Sequence, residues 1–257
     1  MTIKKLKLHD KTLKEEVFFT KTKWPHFDIL FKDINKFSKN KSLKNILSLE
    51  RGSLYGNISI LAPYFKKKNF ISVDCSEKKI LSRGSYNKKF VDNNNIIKIP
   101  VTSQKNYKNL NLKKNFYDLI VIPNLMHHIY DHKHLIKSCK KYLKKNGLIY
   151  VFEPTLREIH QLPEDYYRFT PYGMKQLLND LNFRSINFKL SGGPFTAAAY
   201  CLDQASQFLP KQRRQNFKKE FKLNKINFFQ KLDKKHRQNL FRKYTIFPMS
   251  FSITAKK

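Results

Sequence analysis

Between residues 115 and 183 the chain switches repeatedly between short apolar runs and longer stretches with helical spacing, and few architectures accommodate that alternation. The run Tyr117-Asp118-Leu119-Ile120-Val121-Ile122 reads as a strand and leads into Pro123-Asn124-Leu125-Met126-His127-His128-Ile129-Tyr130-Asp131. Leu135, Ile136, Cys139, Tyr142 and Leu143 then recur at spacings of three and four, which marks one buried face of a helix. Lys145-Asn146-Gly147 is expected to close that helix, and Leu148-Ile149-Tyr150-Val151-Phe152 to form the next strand, ending at Glu153-Pro154. Strands that alternate with helices imply a parallel sheet covered on both faces, joined by right-handed crossovers.

The same rhythm begins near residue 45. Strands are expected at 45–49, 70–73, 96–99, 118–122 and 148–152, and the alternation of Ile186, Phe188 and Leu190 with Asn187 and Lys189 adds a sixth. Gly192-Gly193-Pro194 breaks the chain, 195–209 suits an Ala-rich helix, and 211–235 is strongly basic with Phe217, Phe221, Phe228 and Phe229 interspersed. Residues 247–255 alternate again and are expected to return as an edge strand. Residues 1–43 are polar and basic with scattered aromatics, consistent with one or two short helices capping the domain. With 257 residues the chain suits one α/β domain with decoration. The expected division is a cap at 1–43 and a main domain at 44–257 that carries a helical basic insertion at about 195–240.

A net charge of +33 would ordinarily point to nucleic acid or an anionic membrane. Its makeup argues otherwise, because 43 Lys stand against 9 Arg, and Arg is the side chain suited to forked phosphate recognition. The lysines run from Lys4 to Lys257, and 22 Asn accompany only 7 Gly, the residue usage of an AT-rich genome. Cys75, Cys139 and Cys201 are widely spaced and odd in number, so neither a disulfide framework nor a thiolate metal site is indicated. The beginning of the chain lacks the apolar core of a signal peptide, and no run reaches the roughly 18 apolar residues of a membrane span. A cytoplasmic setting is expected, with peripheral contact at the inner face of the membrane as a variant.

The elements from 115 to 183 resemble class I S-adenosylmethionine-dependent methyltransferases, of the branch associated with polysaccharide and lipid-sugar biosynthesis. The resemblance implies a Rossmann-like, doubly wound α/β fold in three layers, with a mostly parallel sheet and an antiparallel last strand. It also implies S-adenosylmethionine as cofactor. Asp74, after the second strand, matches the acid that binds the ribose hydroxyls, for which a carboxylate is chemically suited. The family's acid-x-Gly-x-Gly-x-Gly loop falls on Glu50-Arg51-Gly52-Ser53-Leu54-Tyr55-Gly56. Glu50, Gly52 and Gly56 match there, while Leu54 replaces the middle glycine and removes one point of close backbone approach. Asn95 is the counterpart of the adenine-reading acid, and Asn124 and Met126 fall along the methionine portion.

His127, His128, His132 and His134 are dense enough to suggest a metal, with His128 and His132 able to share a helix face. The family, however, carries a paired His followed by an Asp, here Asp131, without one. Thr170-Pro171 is a good helix start. Asp165, Tyr166, Tyr167 and Arg168 precede it and correspond to the segment over the active-site mouth, which makes them substrate candidates, with an Asp165–Arg168 loop brace as the alternative. A hydroxyl or amine acceptor benefits from a base, for which His160 is the first candidate and His127 and Glu153 the next. The expected function is methyl transfer to a small-molecule, sugar or lipid-linked glycan acceptor. The alternatives are an RNA methyltransferase, suggested by the charge, and a non-catalytic scaffold with an altered cofactor loop, suggested by Leu54. The Ala-rich helix followed by Lys211, Arg213 and Arg214 also suits an anionic bilayer.

Overall fold

The computed structural model describes residues 27–50, 61–65, 67–75, 97–98, 112–160, 162–235 and 247–257. Its centre is β4 (Tyr117–Pro123), flanked by β1 (Asn45–Glu50) and β5 (Leu143–Pro154). In β4, Leu119 and Val121 pack on one side of the sheet and Ile120 and Ile122 on the other. Both sets are fully buried, which is why the strand reads as a continuous apolar run.

The first side is covered by α1 (Asp28–Lys39), whose Leu30, Phe31 and Ile34 meet Ile46, Tyr150 and Phe152. The second side is covered by α2 (His132–Tyr142), through Leu135, Ile136 and Cys139, and by α3 (Pro171–Asp180), through Met174 and Leu178. Thr170 Oγ1 accepts from Gly173 N at 3.0 Å and Pro171 stands at the first helical position, as the sequence suggests for α3.

With β2 (Asn69–Asp74), β3 (Ile97–Lys98), β6 (Arg184–Ser191) and β7 (Ser250–Lys256), the sheet runs β3-β2-β1-β4-β5-β7-β6 among the described residues. All pairings are parallel except those of β7, which is antiparallel to both β5 and β6. This is the doubly wound, three-layer α/β/α architecture expected from the alternation.

Two expectations need correction. The last strand does not lie at an edge: β7 is paired on both sides and Ser250 to Ile253 are buried, while the half-exposed β6 takes the edge. The Lys145-Asn146-Gly147 turn does not close α2, which ends at Tyr142. It forms part of a bulge in β5, where pairing with β4 jumps from Tyr117↔Leu143 to Leu119↔Leu148 and Asn146 takes φ +64°.

The helices after β6 are α4 (Pro194–Ser206), α5 (Lys211–Glu220) and α6 (Ile226–Lys235). Asp233 of α6 accepts from the Phe195 and Thr196 amides at 2.9 and 3.1 Å, and also from the Thr196 hydroxyl. At the other end of α4, the Arg214 guanidinium donates to the carbonyls of Ser206, Gln207 and Leu209. The N-terminal helix is tied across the sheet: buried Asp33 accepts from Lys189 Nζ at 2.5 Å and Ser252 Oγ at 2.9 Å. Residues 1–26 and 236–246 lie outside the described residues.

Candidate functional site

β1, β2, β4 and β5 end at one edge of the sheet, and the strand order reverses between β1 and β4. Open parallel sheets bind ligands in the crevice beyond such a reversal. Glu50 and Asp74 close β1 and β2 and are backbone partners in register. Glu50 Oε1 accepts from Ser48 Oγ at 2.5 Å and Ser72 Oγ at 3.2 Å, which holds a carboxylate at the head of β1. Gly52, Gly56, Asn95 and the Asp74 side chain lie outside the described residues.

Asn124 follows β4 with φ +55°, a left-handed conformation that Asn tolerates better than most residues. Its amide donates to Phe152 O at 2.7 Å, while its buried Oδ1 has no hydrogen-bond partner among the described residues. An orphaned buried acceptor at the ligand edge suits an ammonium or N–H donor, such as the amino group of a methionine portion. Met126 is fully buried within a short 3-10 turn (Met126–His128).

Glu153, near the end of β5, organises that turn. Its Oε1 accepts from the Leu125 and Met126 amides at 2.8 and 2.7 Å, and its Oε2 lies 2.6 Å from His127 Nδ1. Both side chains are fully buried. The carboxylate therefore orients His127 rather than standing free as a base, an arrangement that leaves the proton on Nδ1. His127 Nε2 is buried and without a hydrogen-bond partner among the described residues.

His160 comes to the same place from the loop after β5, its ring centred 5.3 Å from that of His127. Burial, then the charge of Arg157, depress its pKa to about 4 against the opposing pull of Asp165, so this imidazole is neutral at physiological pH. The three candidate catalytic residues, His160, His127 and Glu153, are thus brought together. His128 joins them, its ring 3.9 Å from His127 and 4.9 Å from His160. The sequence singles out His128 only as a metal candidate beside His132, whereas the structure places it in the 3-10 turn against His127 and His160, with His132 on the following helix.

The segment 165–168 wraps over this cluster. Tyr166 and Tyr167 amides donate to His127 O at 2.9 and 3.3 Å. Arg168 grips Asp165 through both terminal nitrogens, at 2.6 and 2.8 Å, and donates to the carbonyls of Arg157, Glu158 and Tyr167. Burial opposes the Asp165 charge, yet Arg168 and the His160 amide hold its carboxyl far below the ordinary range. These two residues form the brace, with their polar atoms turned inward. The tyrosines differ: Tyr130 and Tyr166 are exposed and packed edge to face at 5.5 Å, with Tyr167 alongside, its hydroxyl donating to Tyr130 O. Exposed Ile159 and Leu162 neighbour them in sequence.

Residues 49–151 match the family model described as a methyltransferase domain. No curated protein matches the chain. Among solved structures, the chain is similar to an S-adenosylmethionine-dependent methyltransferase from Archaeoglobus fulgidus at 17% identity and a TM-score of 0.53, covering 94% of this chain and 99% of that one. It is also similar to Haemonchus contortus phosphoethanolamine N-methyltransferase 2, at 13% identity and a TM-score of 0.50, covering 87% of this chain and 51% of that one, in a complex with S-adenosyl-L-methionine. The fold is that of the class I methyltransferases.

Proposed function

We propose that this methyltransferase-fold chain transfers the methyl group of S-adenosylmethionine to a hydroxyl or amine of a small acceptor, a sugar or a lipid-linked glycan. The observation that carries the reading is the pair of carboxylates, Glu50 and Asp74, that close β1 and β2 in register beside the reversal of strand order. In this reading Asp74 accepts from the ribose hydroxyls, Glu50 and the Gly52–Gly56 loop receive the methionine and ribose, and Asn95 is assigned to adenine recognition. Asn124 takes the ammonium through its unpartnered Oδ1, and Met126 packs along the methionine chain. The cofactor supplies an activated methyl, so the protein's work is alignment and proton removal.

The acceptor enters past the exposed rings of Tyr130 and Tyr166 and the half-buried Tyr167, whose ring faces and hydroxyls match the apolar and polar sides of a sugar. Asp165 and Arg168 shape that mouth by bracing it. Glu153 orients His127, and the imidazoles of His127 and His160 activate the nucleophile. Residues 1–43 serve as a cap, and the basic helices within 195–240 border the acceptor side.

Calorimetric titration with S-adenosylhomocysteine tests the reading, with Asp74→Ala as control. Micromolar binding that disappears in the variant supports the cofactor site and justifies a screen of sugar acceptors. A folded protein that does not bind would instead be a methyltransferase-like scaffold.

A further inference from the structure

His127, His128 and His160 each commit one ring nitrogen to an acceptor. His127 Nδ1 faces Glu153 Oε2, His128 Nδ1 lies 2.5 Å from the Glu164 carbonyl, and His160 Nδ1 lies 3.1 Å from both the Glu158 carbonyl and Asp165 Oδ2. A carbonyl or an ionised carboxylate can only accept, so all three Nδ1 atoms carry the proton and all three Nε2 atoms carry a lone pair. Nε2 of His127 and of His160 are buried without a hydrogen-bond partner among the described residues. One ring nitrogen from each residue lies within 4.8 Å of those of the other two.

We infer that His127, His128 and His160 form a binding site for one divalent transition-metal cation of the zinc type. Neutral imidazoles are the ligands such cations take, and a ligating His is typically fixed through its other nitrogen by a carboxylate or backbone carbonyl. All three residues have that second partner, and for His127 and His160 it includes a carboxylate. Metal–nitrogen bonds of about 2.0–2.1 Å hold ligand nitrogens about 3.3 Å apart in a tetrahedron, so binding requires a modest closure of the rings. Glu153 and Asp165 supply negative charge behind the ligands, against the opposing charges of Arg157 and Arg168.

Three protein ligands leave a coordination position open, the arrangement of catalytic rather than structural zinc. At the acceptor end of the site, that position suits the hydroxyl oxygen to be methylated: His127 and His160 then activate it through the cation rather than as free bases, and its proton passes to solvent. This consequence rests on the methyl-transfer reading, but the site itself does not. His132 and His134, adjacent in sequence, stand outside the cluster, so the grouping arises from the fold rather than from the dense run of histidines.

The test uses the full chain, stripped with a chelator and titrated with Zn²⁺ against a chromophoric competitor, then with Co²⁺ to read its visible absorption. One equivalent should bind, and His127→Ala and His160→Ala should each abolish tight binding. Glu153→Gln should weaken it about 10–100-fold, the usual effect of altering a ligand's hydrogen-bond partner, and His134→Ala should leave it unchanged. Circular dichroism and S-adenosylhomocysteine titration of every variant separate metal loss from misfolding. Absent binding, or equal binding by the wild type and both Ala variants, overturns the inference. S-adenosylhomocysteine binding without metal binding would sink this site and spare the methyl-transfer reading, and the converse would spare the site alone.

Discussion

Glu153 satisfies three donors with two oxygens in a place that water does not reach. Removing it as Glu153→Ala strands the amides of Leu125 and Met126, and each buried donor left unpaired costs about 1–3 kcal/mol. The variant should therefore lose about 3 kcal/mol or more in urea unfolding, whereas Glu153→Gln, which keeps an acceptor, should lose clearly less. Equal losses would mean that the carboxylate fills space and does not organise the turn. Arg168 invites a different substitution. Its fork reaches Asp165 twice and three carbonyls, and a Lys ammonium cannot reproduce that planar geometry. Arg168→Lys should loosen the loop from 158 to 168, seen as faster hydrogen exchange at the Tyr166 and Tyr167 amides, with global stability changed little. At this scale the sequence identified Glu153, His127 and His160 as chemically able residues. It could not say that Glu153 supports His127, because that relation depends on β5 lying beside β4 in one particular register.

The helical unit after β6 is secured at its joints. Asp233 closes the N-terminal end of α4, and Arg214 gathers carbonyls at its C-terminal end. Gly193 lies against Asp233 so closely that an added Cβ would come within 2.6 Å of its Cγ. Asp233→Ala should thus cost about 1–2 kcal/mol, the usual range for losing a helix N-terminal cap, and should open 211–235 to limited proteolysis before the sheet unfolds. Unchanged cleavage would show that α6 is held by its apolar contacts instead. The placement of β7 belongs to the same scale. Its alternation of Phe251, Ile253 and Ala255 with Ser250 and Ser252 resembles an edge strand in sequence, because serine is as much at home in solvent as in a core. Ser252 instead faces buried Asp33, so a polar residue marks an internal hydrogen bond and not an exposed face. Periodicity reveals that a strand exists, while its neighbours depend on contacts between residues more than 200 positions apart.

Across the whole molecule the fold was legible because both faces of the sheet are covered, which forces apolar strands, amphipathic helices and their alternation into the sequence. The candidate site was legible only in parts, since its residues come from the ends of β1, β2, β4 and β5 and from the loop before α3. The charge of +33 is the property most open to misreading at this scale. It is carried by surfaces such as α5, which has no buried residue and holds Lys211, Arg213, Lys218 and Lys219, and by lysines that run along the sequence from Lys4 to Lys257. Binding to RNA through such a surface is driven by counterion release, so its affinity should fall steeply and log-linearly with salt, by about 10³-fold or more between 50 and 200 mM if six phosphates are neutralised. Filter binding with two unrelated RNAs should give the same slope for both, little retention at 200 mM salt, and no change with S-adenosylhomocysteine. That result is expected of lysine charge spread along the whole sequence. Retention of one RNA over the other at 200 mM, tightened by S-adenosylhomocysteine, would instead couple the polyanion to the cofactor site and make RNA the acceptor.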